Sequence, residues 1–216
     1  GTYPHVLIEY LEGPTLGHLI KRERTLPLAQ LLPLALHIAA ALQYMANEGV
    51  VHLDVKPANI VMGVPPRLID LSIARSVERA ARLTDAIGTD AYMAPEQCDP
   101  VSWAGRVGPA ADVWGLGATL YHAMTGSVPF PRPRGASKSD QPAVRFPQLV
   151  NEPNPLPKGI PAPLEDLVLR MLAKEPEQRP AAREVAQSLE PLVAAQPWRL
   201  TFSGRGRPRA AKPEDA

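Results

Sequence analysis

Apolar residues recur at three- and four-residue spacing along much of the chain, and their phase predicts its helices. Over Leu28 to Glu48, the residues Leu31, Leu34, Ala35, Ile38, Leu42 and Met45 share one face, which predicts the longest helix, ended by Gly49. His37 falls on or near that face and reads as a structural histidine. A shorter helix is predicted over Thr15 to Arg24, with Thr15 as its cap and Leu16, Leu19 and Ile20 inward. A buried helix is predicted over Ala110 to Thr125, where Val113, Leu116, Leu120 and Met124 align and Gly115, Gly117 and Ala118 permit close packing; Gly126 ends it. Two further amphipathic helices are expected over Leu164 to Ala173 and Ala182 to Leu192. Val6 to Gly13 reads as a strand running into a turn. Val50-Val51, Ile60-Val61 and Ile69 suit short buried strands, because Pro57 and Pro65-Pro66 forbid a continuous helix there. Ser127 to Pro163 is rich in proline and lacks periodicity, so loop with one short helix is expected. From Gly204 onward no apolar pattern remains, and a disordered basic tail over 198–216 is expected.

Composition changes this picture little. At 216 residues, 45% hydrophobic and 21% charged, the chain suits an ordinary globular domain with one sizeable core. A net charge of +1 gives no general steering toward polyanions, so no nucleic-acid partner is expected. The lone cysteine, Cys98, cannot form an internal disulfide and reads as a packing residue; a cytoplasmic setting is expected. The most apolar run, Leu31 to Ala46, is interrupted by Pro33, His37 and Gln43 and falls short of the roughly 20 residues a spanning helix needs, so no membrane segment is expected in this chain.

The candidate chemistry lies in one short polar break between apolar runs. Asp54, Lys56 and Asn59 fall on a loop held at both ends, and a hairpin-like return then delivers a second carboxylate, Asp70. Phosphoryl transfer asks a protein mainly for positioning and charge neutralisation. Asp54 suits the orientation of an attacking hydroxyl. Lys56 suits pairing with a phosphate as a point charge. Asp70 and the amide oxygen of Asn59 are oxygen donors of the kind Mg²⁺ prefers. The five histidines, His5, His18, His37, His52 and His122, show no metal-ligand spacing.

These residues resemble the catalytic and metal-binding loops of the protein kinase family. Its H-R-D-L-x-x-x-N pattern compares with His52-Leu53-Asp54-Val55-Lys56-Pro57-Ala58-Asn59, and D-F-G with Asp70-Leu71-Ser72. Gly88 to Glu96 contains the full A-P-E segment, Asp112 to Gly117 resembles the family's next helix start, and Arg179 stands where the family pairs an arginine with the A-P-E glutamate, here Glu96. Five landmarks in order distinguish this resemblance from a chance Asp-x-x-x-x-Asn turn. They also separate it from small-molecule phosphotransferases such as aminoglycoside kinases, which lack the A-P-E segment.

The resemblance implies a mainly α fold, the helical C-terminal lobe of a kinase with short β hairpins, over residues 1–197. It implies a serine/threonine protein kinase that uses ATP and Mg²⁺ and acts on a protein substrate, and the high Pro, Ala and Arg content suggests a bacterial origin. Asp54, Lys56, Asn59 and Thr89 would be catalytic, with Thr89 bonded to Asp54 and Lys56. Glu9 and Leu11 in the hinge, with Lys56, Asn59 and Asp70, would bind the nucleotide, with Ile8 behind the adenine. Asn59 and Asp70 would hold the metal. Thr84, in the loop between Asp70 and Glu96, is a candidate phosphorylation site.

The family's glycine-rich loop, strand lysine and partner glutamate precede the hinge, whereas only five residues here precede Val6 and Lys21 is the first lysine. The N-terminal lobe is therefore expected to be missing from this chain and supplied elsewhere, and the chain alone is expected to be inactive. The alternative is a pseudokinase-like or truncated scaffold that binds partners without catalysis. Two departures stand out. Leu53 replaces the arginine that contacts an activation-loop phosphate, so phosphorylation is not expected to be the switch. Leu71-Ser72 replaces Phe-Gly, with Leu71 expected to fill the same apolar slot.

Overall fold

A computed structural model describes residues 9–139 and 141–196. The first helix, α1 (Leu16–Glu23), is capped by Thr15, whose Oγ1 accepts the His18 backbone N–H at 3.2 Å. It buries Leu16, Leu19 and Ile20 as their spacing requires. The chain then enters α2 (Leu28–Asn47), rich in Leu and Ala. Although α2 is long and apolar enough to cross a membrane, its inner face, from Leu31 to Leu42, lies in the protein core. Gly49, at φ +68°, turns the chain out of it. His37 is a correction: it is exposed, and its Nδ1 bonds the Pro33 carbonyl at 2.8 Å.

Two small antiparallel pairs follow. β1 (Val50–Val51) pairs with β4 (Arg75–Ser76), Val50 opposite Ser76. β2 (Ile60–Val61) pairs with β3 (Arg67–Leu68), Ile60 opposite Leu68. Ile69 lies one residue past β3. The strand expected over Val6 to Gly13 is not seen in its described part: Glu9 to Gly13 carries no ladder, and only Thr15 forms an isolated bridge, to Val61. A strand is stabilised by its partner, and none of the described residues pairs with this segment. Val6 to Ile8 and the tail 198–216 lie outside the described residues.

Short helices α3 (Val77–Ala80) and α4 (Pro95–Cys98) lead to the central α5 (Pro109–Thr125). Helix α5 begins on Pro109, whose missing N–H costs nothing in a first turn, and ends at Gly126 at φ +75°. It lies against α2 on one side and α7 (Ala162–Met171) on the other, and α8 (Ala182–Ala194) covers α2. Gly117 sits where a Cβ would come within 2.9 Å of Met171 Cβ, so the close crossing of α5 and α7 requires glycine. Between α5 and α7 the proline-rich stretch holds three short pieces rather than one: 3₁₀ turns at Ala136–Lys138 and Pro147–Leu149, and α6 (Pro142–Arg145). Prolines at the first position of the latter two supply a ready φ for a turn of helix without an apolar period. One large core unites α1, α2, α5, α7 and α8, with Trp114 stacked on Phe130 at 5.4 Å between ring centres.

Candidate active site

The polar loop is suspended between β1 and β2, and Pro57–Asn59 forms a single 3₁₀ turn within it. Its shape is imposed from below by α5. The buried Asp112 carboxylate accepts the backbone N–H groups of His52 at 2.7 Å and Leu53 at 2.8 Å. A Cβ on Gly115 would stand 2.9 Å from Val55, so the loop rests directly on helix backbone. Burial pushes the Asp112 carboxyl up to about 7 against the lowering effect of those two N–H groups.

His52 ties this loop to the second carboxylate. Its Nδ1 accepts the Asp54 N–H at 3.3 Å, which leaves Nε2 as the protonated nitrogen, donating to the Ile69 carbonyl at 3.1 Å. Burial holds the imidazole below its ordinary value, in keeping with this neutral tautomer. The Ile69 N–H in turn donates to the Asn59 carbonyl at 2.9 Å. Backbone bonds therefore bring Asn59 and the residue preceding Asp70 side by side.

Around Asp54 the structure gathers Lys56 and Asn59, singled out by spacing, and Thr89, whose place the resemblance implies. Lys56 Nζ donates to Asp54 Oδ2 at 2.6 Å and to Thr89 Oγ1 at 2.7 Å, while the Thr89 hydroxyl donates to Asp54 Oδ1 at 2.7 Å. Asn59 Nδ2 donates to the Asp54 carbonyl at 3.0 Å and to Oδ2 at 3.1 Å. The amide nitrogen of Asn59 is thereby committed, and its oxygen is left to accept. Asp70 is exposed, in the left-handed region at φ +69°. The Ser72 hydroxyl and backbone N–H beside it hold its carboxyl below the usual carboxylate range, so it is ionised. An ionised carboxylate and a free carboxamide oxygen on adjoining segments fit a hard divalent cation such as Mg²⁺.

The segment carrying Thr89 is clamped from several directions. A Cβ on Gly88 would come 2.8 Å from the Leu53 carbonyl, so the close approach needs a glycine, as does its φ of +126°. The buried Gln97 side chain donates to the Leu53 carbonyl at 2.8 Å and the Ile87 carbonyl at 3.0 Å. Asp90 accepts from Arg132 and Arg145, and Gln148 donates to the Asp90 carbonyl at 2.7 Å. Beneath the A-P-E segment, Glu96 and Arg179 form a bidentate pair at 2.6 and 2.8 Å with both side chains at 0% exposure. The remaining Arg179 N–H groups reach the carbonyls of Ala173, Ala110 and Lys174, so the guanidinium is fully satisfied.

Not every expectation survives. Leu71 is 61% exposed and fills no apolar slot; the left-handed turn at Asp70 directs the chain outward there. Leu53 is buried and joins Val51, Ala80 and Val107 in a small second core under Val77 and Ile87. Glu9 and Leu11 line a groove with Val61, Gly63 and Pro65. Cys98 is buried as expected, its thiol pushed up by burial. Gln97, the ring of His52 and the carboxylate of Asp112 carry positioning roles that spacing did not reveal. Only the position of Gln97 beside Ala94-Pro95-Glu96 marked it at all.

Residues 2–189 match the protein kinase domain family, described as "Protein kinase domain". Among similar proteins, the serine/threonine-protein kinase PknB of Mycobacterium leprae is 32% identical over 208 residues, covering 91% of this chain and 32% of the relative. A probable serine/threonine-protein kinase of Clostridium perfringens is 31% identical over 192 residues, 86% of this chain and 27% of its own length. Another, PkwA of Thermomonospora curvata, is 32% identical over 198 residues, 90% of this chain and 25% of its own length. The chain thus spans about a third or less of the relatives it matches.

Proposed function

The chain belongs to the protein kinase family, of the bacterial serine/threonine type, and from that premise we propose that it forms the catalytic lobe of an enzyme transferring the γ-phosphate of ATP to serine or threonine hydroxyls of a protein. The observation that carries this reading is the closed contact of Asp54, Lys56 and Thr89. A carboxylate held by three donors has one orientation, and a substrate hydroxyl presented to it is aligned as it loses its proton.

In the reaction, the acceptor hydroxyl oxygen bonds to the γ-phosphorus as the bond to the bridging oxygen breaks, and ADP leaves. The hydroxyl proton passes to Asp54. Lys56 keeps its ammonium beside both Asp54 and Thr89, where it can steady the transferring phosphoryl group. The Lys56–Thr89 contact orders the docking segment against the catalytic loop, the arrangement expected of a serine/threonine rather than a tyrosine kinase. Asn59 and Asp70 would hold Mg²⁺, which when bound neutralises phosphate charge. Glu9 and Leu11 are proposed to meet the adenine.

The test is transfer of labelled γ-phosphate from ATP and Mg²⁺ to a generic protein substrate by the complete kinase and by its Asp54→Asn and Asp70→Ala variants. Loss of about 10²-fold or more in Asp54→Asn, with unchanged circular dichroism, supports the reading. Undiminished transfer by that variant removes it.

A further inference from the structure

Beside the Asp54 cluster runs a groove of about 700 Å³, large enough for two or three side chains. Lys56 and Thr89 line it together with Lys21 and Arg24, from the last turn and C-cap of α1, and with His18 and His122. Among the described residues, no acidic side chain lines it. Lys21 and Arg24 are exposed, and neither forms an ion pair among the described residues. Elsewhere on the described surface some arginines meet carboxylates, Arg22 with Glu23, Arg106 with Glu175, Arg132 and Arg145 with Asp90, and Arg170 with Asp166, while others, such as Arg67, Arg75 and Arg183, form no ion pair among the described residues. The two cations at the groove are without such partners.

Arg24 is held there against a backbone preference. Its φ is +67°, a region that glycine occupies at less cost than a residue with a side chain. Its N–H closes α1 on the Ile20 carbonyl at 2.8 Å, and its own carbonyl lies against Gly126, where a Cβ would approach to 3.0 Å. Two residues on, the Leu26 N–H donates to Ala123 of α5 at 2.9 Å. The guanidinium therefore hangs from a fixed turn rather than from a fraying helix end. Tyr92 and His122, which also line the groove, are joined by a 2.7 Å hydrogen bond.

We propose that this groove selects substrates carrying a carboxylate side chain close to the acceptor hydroxyl, with Lys21 and Arg24 as the specificity-determining residues. Only the location of the acceptor rests on the kinase reading; the charge selectivity does not. A peptide laid along the groove with its hydroxyl at Asp54 passes Thr89 and brings a neighbouring side chain to Lys21 and Arg24. Glutamate or aspartate there gains one or two exposed ion pairs, whereas lysine or arginine meets like charge.

The experiment is fluorescence anisotropy of three labelled threonine peptides, identical except for Glu, Ala or Lys in the positions flanking the threonine, titrated with the complete kinase. The Glu peptide is expected to bind about fivefold to tenfold more tightly than the Lys peptide, with the preference shrinking as salt rises. The double variant Lys21→Glu, Arg24→Glu is expected to reverse the order. A second variant, Lys21→Met with Arg24→Gly, which removes charge and relaxes the turn, is expected to level it. Equal affinities in the parent kinase, or a Glu preference that survives charge reversal, overturns the proposal. Phosphotransfer to the same peptides separates the two readings: charge-ordered binding without transfer to any of them refutes the kinase reading and leaves the groove's selectivity standing.

Discussion

Thr89 and Asp54, 35 residues apart in the chain, share a hydrogen bond of 2.7 Å, and Lys56 binds both partners. The Thr89 hydroxyl thus joins the docking segment to the catalytic carboxylate itself, beside the Gln97 clamp on Leu53 and Ile87. Thr89→Val keeps the shape and removes the donor, leaving one Asp54 oxygen and the Lys56 ammonium under-satisfied. In the complete kinase, kcat is expected to fall about tenfold to a hundredfold, since a hydrogen bond to a charged group contributes about 1.5–3 kcal/mol. Thr89→Ser is expected to retain most of the rate. Equal kcat for the valine and serine variants would show that the contact is incidental.

The Glu96–Arg179 pair spans 83 residues with no solvent contact. Glu96→Gln leaves a buried guanidinium without its countercharge and is expected to destabilise the fold by about 3–5 kcal/mol. The paired replacement Glu96→Leu, Arg179→Met is expected to cost less than the single change, because no charge is stranded. Thermal or urea melts of the parent and these two variants check this; a double variant as unstable as Glu96→Gln would refute it.

Asp112 gives the fold a pH dependence of predictable sign. Its folded value, about 7, lies above that of an unfolded aspartate, so between about pH 4 and pH 7 the folded chain holds a proton that the unfolded chain has released. Its contribution to stability is complete below that window and is lost as pH rises through it, by an amount on the order of a few kcal/mol. The melting temperature of the parent is expected to decline across pH 4–7 relative to Asp112→Asn. Parallel curves would show that the two backbone N–H bonds outweigh burial.

Leu53 occupies the place where the family commonly has a phosphate-binding arginine, and here it packs with Val51, Ala80 and Val107 beneath the segment from Val77 to Ile87. Apolar packing contributes to holding that segment. Leu53→Ala is expected to cost about 2–4 kcal/mol and to speed proteolysis within residues 77–87. Thr84 is exposed and bonds only the neighbouring Asp85 among the described residues, so Thr84→Ala is expected to leave kinase activity within about twofold. A collapse of activity in Thr84→Ala would restore a phosphate switch.

Local pattern by itself determined the helices of the core and the order of the chemical residues. Helix α2 follows from Leu31 to Met45 at one phase, α1 from the Thr15 cap, and the end of α5 from Gly126, because these depend on neighbours three or four residues away. The loop of Asp54, Lys56 and Asn59 was legible for the same reason: its spacing is local, and Pro57 excludes a helix. What the sequence left open depends on residues far apart. The outward turn of Leu71, the burial of Leu53, the hold of Asp112 on two backbone amides and the clamp of Gln97 across Leu53 and Ile87 each join segments that spacing cannot connect. His37, at the margin of a helix face, lies exposed. The unpaired run from Glu9 to Gly13 turned on the absence of a partner strand among the described residues, because a strand is stabilised by its ladder rather than by its own composition. Periodicity specifies which face of an element is apolar; only packing decides what that face meets, and therefore which polar groups must find partners across the fold.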